Sequence, residues 1–207
     1  MNWVEIILNI VLAAVGVIFA LWYENLGAPR IIIIPDITTQ DTKANGLTTR
    51  FLHLKVKNSP RSFPFVTKQT ASACHGSIIF LTDKLEQIGN SIQLKWDGTP
   101  EPIKPEILNG QVIYLFDNSL IRLTRYIDIP PGEEESLAIA FRISGDKVAY
   151  GWSYINYQYP NWRYTDSTLP FGEYIARITI TSGDTIVKKD IPFINPEKFN
   201  GFDLLVD

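Results

Sequence analysis

The sequence contains a single cysteine, Cys74, so no intrachain disulfide can form. A domain of this size folds without one, and a lone thiol favours a reducing compartment. Histidine is almost as scarce, with only His53 and His75. Those three side chains are too few for a four-ligand zinc site. Adjacent strand residues point to opposite faces, so Cys74 and His75 cannot form a dyad with each other. No Asn-x-Ser/Thr glycosylation acceptor occurs. Clustered basic residues are also missing. The longest run is Lys188-Lys189, and the formal net charge is -3. That balance excludes a nucleic-acid partner, whose phosphates require grouped Lys and Arg. There is no G-x-S-x-G, no H-E-x-x-H and no Walker loop. The expectation is a non-enzymatic protein with no metal and no other cofactor.

What the chain does have is apolar and aromatic mass. Hydrophobic residues make up 45% and aromatics 12% of 207 residues. Once about thirty N-terminal residues are set aside, the rest suits one domain of ordinary size.

Trp3 to Tyr23 reads WVEIILNIVLAAVGVIFALWY. A run of about 20 apolar residues matches the thickness of a bilayer core, where only a helix pairs all its backbone groups. Trp3 and Trp22 would lie about 28 Å apart along such a helix, as an aromatic belt at the two interfaces. A cleaved signal peptide would need a basic start and small residues at the cleavage point. Here no Lys or Arg precedes Trp3, and Trp22-Tyr23-Glu24 is bulky. The expectation is an uncleaved single-pass anchor and linker over residues 1–29.

The predicted helix has a distinct face. Glu5, Asn9, Ala13, Gly16 and Ala20 fall within an arc of about 80°. Gly16-x-x-x-Ala20 would let a second helix approach closely, and Asn9 would hydrogen-bond across the contact. Asn9, Ala13, Gly16 and Ala20 are therefore candidate helix-packing residues for another transmembrane helix, in a homo- or hetero-oligomer. Arg30 and Lys43 follow the helix and no basic residue precedes it. That bias puts the domain on the cytoplasmic side.

Gly27-Ala28-Pro29 ends the helix. Residues 30–207 then show short strand-like runs between turn signals. Expected strands are Ile31–Pro35, Arg50–Lys57, Ala71–Leu81, Ile92–Trp96, Val112–Phe116, Leu120–Ile127, Leu137–Ile143, Lys147–Tyr154, Glu173–Thr181 and Thr185–Phe193. Leu52, Leu54 and Val56 should share one face, and Leu137, Ile139, Phe141 and Ile143 should all point inward. Ser144-Gly145-Asp146 and Ser182-Gly183-Asp184 read as hairpin connections. Asp97 to Asn109, rich in proline, fits no element. The pattern indicates an all-β antiparallel sandwich.

Leu169-Pro170-Phe171-Gly172-Glu173-Tyr174 precedes an alternating run, and Pro130-Pro131-Gly132-Glu133 opens an earlier one. Both stretches resemble corners of immunoglobulin-like domains, over residues 130–193. The resemblance implies that the Tyr174 hydroxyl bonds back to the nearby backbone. The cysteine pair of such domains is absent, and a shared fold carries no function.

The most unusual soluble stretch is Tyr150 to Tyr164, with seven aromatics in fifteen positions. Tyr150, Trp152 and Tyr154 alternate as core residues would. Tyr157, Tyr159 and Trp162 lie in a loop-like stretch and are candidates for a binding surface, because Tyr and Trp combine large area with a polar tip. Two functions remain open: a membrane-anchored subunit that docks a protein partner, or a tethered module that binds a small ligand or carbohydrate through 150–164.

Overall fold

A computed structural model describes residues 2–44 and 46–205. Helix α1 spans Trp3–Leu26 and is long and apolar enough to cross a membrane. Asn2 caps it, with its side chain accepting from the Val4 N–H at 3.3 Å. None of its residues is buried. Gly27 closes the helix, as its sequence position predicts.

The remaining chain is an all-β antiparallel domain of two sheets plus a separate ribbon. The first sheet contains β1 (Ile31–Ala44), β2 (Leu47–Asn58), β5 (Lys95–Trp96), β9 (Glu134–Ile143), β10 (Ala149–Gly151) and β11 (Thr168–Leu169). Its order is β1-β2-β9-β10-β11, with β5 also on β9. The second contains β3 (Ala71–Leu81), β4 (Gln87–Gln93), β8 (Ile127–Ile129), β12 (Gly172–Ser182), β13 (Thr185–Asn195) and β14 (Asp203–Leu204). Its order is β14-β13-β12-β3-β4, with β8 also on β3. The ribbon is β6 (Ile103–Leu108) paired with β7 (Gln111–Phe116).

Both sheets contribute to one core. Leu52, Leu54 and Val56 of β2 meet Ile78 and Phe80 of β3 and Ala176, Ile178 and Ile180 of β12. At Gly151 the two sheets come so close that a Cβ would lie 2.9 Å from the Phe80 ring.

Strand β9 departs from simple alternation. Leu52 of β2 pairs with Ala140, but the next residue, His53, pairs with Ala138. One extra residue, Ile139, is accommodated there as a bulge, and a bulge reverses the facing of everything beyond it. Leu137 and Ile139 point into the shared core, as expected. Phe141 and Ile143, expected to join them, instead enter a second cluster with Ala138, Tyr150 and Trp152.

Four other expectations change. Ile92–Trp96 is not one strand: it holds the end of β4 in the second sheet and β5 in the first. Leu120–Ile127 is not a strand. Asp117 accepts from the Ser119 N–H at 2.8 Å and caps helix α2, Asn118–Thr124, because a short acceptor side chain before a free turn satisfies orphan N–H groups. The strand expected over Lys147–Tyr154 is only Ala149–Gly151, and Tyr154–Gln158 is a 3-10 helix capped by Ser153. The unplaced stretch Asp97 to Asn109 supplies β6, which turns at Asn109-Gly110, both with positive φ. Asn-Gly between apolar alternations is a strong hairpin signal.

The two turns read as hairpins both connect paired strands: β9 with β10, and β12 with β13. Tyr174 donates its hydroxyl to the Pro170 carbonyl at 2.7 Å, the backbone bond the sequence resemblance implied.

Candidate functional site

The four helix-face residues Asn9, Ala13, Gly16 and Ala20 are all exposed on α1. No atom lies within 4 Å of where a Gly16 Cβ would sit. Nothing in the described chain covers this face, so it is open to a second helix.

The aromatic segment has a different character. Trp152 packs edge-on against Phe51 and Phe141, with centroids 5.1 and 5.3 Å away. Trp162 lies 5.6 Å from Trp152, and Tyr157 lies 5.2 Å from it. Trp162 and Tyr157 are thus half-buried and roof the outer face of the first sheet. Tyr157 also donates to Glu101 at 3.2 Å. Burial and the neighbouring Glu101 carboxylate raise its pKa far above the ordinary phenol value. Tyr159 is more exposed and packs on Tyr164 at 4.9 Å. The backbone is strained at this point, because Asn161 and Trp162 both have positive φ, 50° and 62°. The Trp162 carbonyl is held by Asn156 Nδ2 at 2.9 Å. Of the three candidate surface residues, Tyr159 is exposed, while Tyr157 and Trp162 are half-buried.

Tyr150, Trp152 and Tyr154 are all buried, as expected. They do not share one face. Tyr150 and Trp152 enter the outer cluster, while Tyr154 bonds to the Thr99 hydroxyl at 3.2 Å and borders a cleft of about 270 Å³. That cleft lies between Asn90–Gln93 of β4, Ile121 of α2, and Tyr164 and Asp166. The Gln93 Nε2 is buried without a hydrogen-bond partner.

The ribbon of β6 and β7 lies outside the candidate surfaces expected from the sequence. Its pairing sets Ile103 against Phe116, Pro105 against Tyr114 and Ile107 against Val112. By strand alternation these six side chains share one face, and every one is apolar or aromatic. Ile107 is 78% exposed and Tyr114 67%. A two-stranded ribbon alone is marginal in water, and this one leaves Ile107, Val112 and Tyr114 open to solvent on one face. The Asn109-Gly110 turn and the alternation on either side of it were the available sequence signals.

Polar groups in the domain serve packing. Cys74 is fully buried; its thiol donates to the Ala71 carbonyl at 3.3 Å, and burial pushes its pKa up. His75 places its ring edge-on to Tyr126. His53 Nε2 lies 3.4 Å from Asp97. Lys95, which the sequence did not single out, is buried and donates to the carbonyls of Trp96 and Thr99 at 3.0 and 2.9 Å. Burial lowers its pKa. Among the described residues, no three His, Cys, Asp or Glu side chains converge as a metal set.

No family model, no curated protein and no solved structure matches this chain.

Proposed function

We propose that this chain is a membrane-anchored, non-enzymatic interaction subunit. Helix α1 spans the bilayer and packs on another transmembrane helix through Asn9, Ala13, Gly16 and Ala20. The two-sheet domain, an immunoglobulin-like sandwich on the cytoplasmic side, docks a protein partner. The observation that carries this reading is that α1 has no buried residue, beside a domain whose core is already closed. A 24-residue apolar helix that gives nothing to the core belongs to another medium. The Tyr174–Pro170 bond supports the immunoglobulin-like part. The apolar ribbon face supports docking.

The test is photocrosslinking in membranes. A crosslinker at Ile107 or Tyr114 should give one discrete adduct, whereas one at Lys104 or Glu106, on the opposite ribbon face, should not. Equal yields on both faces would remove the ribbon as a docking site. Extraction of the chain by alkaline carbonate would remove the anchor.

A second reading is a tethered module for a small polar ligand, a carbohydrate-sized molecule with a free hydrogen-bond acceptor. The unpartnered Gln93 Nε2 beside the Tyr154–Tyr164 cleft favours it. A rise in melting temperature with a specific sugar, lost in Gln93→Leu, would support it.

A further inference from the structure

We infer that residues 59–70, between β2 and β3, form a second membrane contact that seats Phe63 and Phe65 in the lipid interface beside the exit of α1. The inference rests on the reading of α1 as a membrane-spanning helix.

The loop is tied to the end of α1. The Tyr23 hydroxyl donates to the Phe65 carbonyl. The Gln69 N–H donates to the Gly27 carbonyl at 2.9 Å. The Thr67 carbonyl occupies the place where a Cβ on Gly27 would be, so only glycine lets the loop lie this close. Tyr23 is four residues before Gly27, about 6 Å back along the helix axis. The loop therefore reaches past the helix end, to the level of Trp22 and Tyr23. That is the depth where aromatic rings sit at a membrane surface.

Its chemistry suits the same place. Phe65 is 97% exposed and Phe63 39%. Phe65 has a φ of 64°, a costly backbone for a bulky residue, and its ring touches almost nothing in the chain. Arg61 and Lys68 flank the phenylalanines, both exposed, and no acidic residue occurs from Ser59 to Thr70. Apolar rings with basic neighbours suit the boundary between acyl chains and anionic headgroups. A lipid surface is favoured over a protein partner because the patch is continuous with the exposed apolar surface of α1. Two attachments side by side would fix the tilt of the domain on the bilayer.

The test uses the full chain in vesicles of phosphatidylcholine and phosphatidylglycerol, some lipids carrying a nitroxide near the headgroup and others one deep in the acyl chain, within reach of Val15. Cys74 is fully buried, so it stays in place. An environment-sensitive dye is attached to Phe65→Cys, Val15→Cys or Leu85→Cys. Leu85 lies in the turn after β3, the end of that strand remote from Ala71 and α1. The Val15 dye reports the anchor, and the Leu85 dye reports water. The Phe65 dye should lose more than about half its emission to the nitroxide, as interfacial burial requires, while the Leu85 dye is unchanged. Quenching at Val15 without quenching at Phe65 overturns the inference and leaves the anchor standing. No quenching at Val15 overturns the anchor and the inference together. A Phe65 dye shielded from both nitroxide lipid and aqueous iodide would be covered by protein, which also overturns it.

Discussion

The backbone N–H of Arg30, the first residue past the linker, donates to Oδ1 of Asn58 at 3.1 Å. Asn58 is fully buried, and its Nδ2 donates to the carbonyls of Gln69 and Ile129, each at 3.0 Å. Its own N–H and carbonyl pair with Glu133 and Gly132. One side chain thus joins the helix exit, the 59–70 loop and β8, with every polar group satisfied. Asn58→Ala should cost about 3 kcal/mol, because buried partners are left without bonds. Urea unfolding in detergent checks the cost. Trypsin should also cut faster at Arg61 and Lys68 in this variant; unchanged cutting would show that Asn58 does not hold the loop.

Lys95 gives a pH test. Burial holds its folded pKa below the ordinary lysine value of 10.5, with Asp97 and Glu101 opposing in part. At neutral pH both folded and unfolded states are protonated, and the folded state bears the full desolvation cost. As pH rises from the folded pKa towards 10.5, the unfolded state holds the proton longer. Stability from this group therefore rises with pH across that window. Lys95→Met should be within about 1.5 kcal/mol of the parent at neutral pH and should lose the alkaline gain. Denaturation midpoints of the two chains, compared pH by pH, should diverge in favour of the parent. Parallel curves would show that Lys95 stays solvated.

Cys74 should be inert in the folded chain. Its thiol is buried and its pKa raised, so little thiolate is present and none is accessible. Maleimide at mildly alkaline pH should leave it unmodified until urea unfolds the domain. Rapid labelling of the native chain would mean that β3 opens locally.

Gly16→Leu and Asn9→Leu should weaken association within the membrane. Gly16 has open space around it in the chain itself, so a leucine there clashes only with a partner helix. Loss of the Asn9 hydrogen bond should cost about 0.6–2 kcal/mol. Val17→Leu lies outside the face and should matter less. A two-hybrid association assay in a bacterial inner membrane reads the difference. Equal behaviour of Gly16→Leu and Val17→Leu would leave α1 as a tether only.

The sequence by itself determined the elements whose bonds are local. Helix α1 pairs its backbone within its own length, so Trp3 to Tyr23 could be read directly, and the structure extends the helix to Leu26. The Ser182-Gly183 hairpin and the Tyr174 corner depend on residues a few positions apart, and both were legible. Tertiary structure decided what depends on distant partners. Phe141 and Ile143 point away from the shared core because one extra residue in β9 faces β2, and alternation alone cannot reveal a bulge. Tyr157 and Trp162 became a roof over Trp152, because Phe51 from the distant strand β2 packs against both tryptophans. Phe65 reached the end of α1 through a bond to Tyr23, 42 positions away. Such contacts are set by how two sheets close on one core, and no short stretch of sequence encodes that closure.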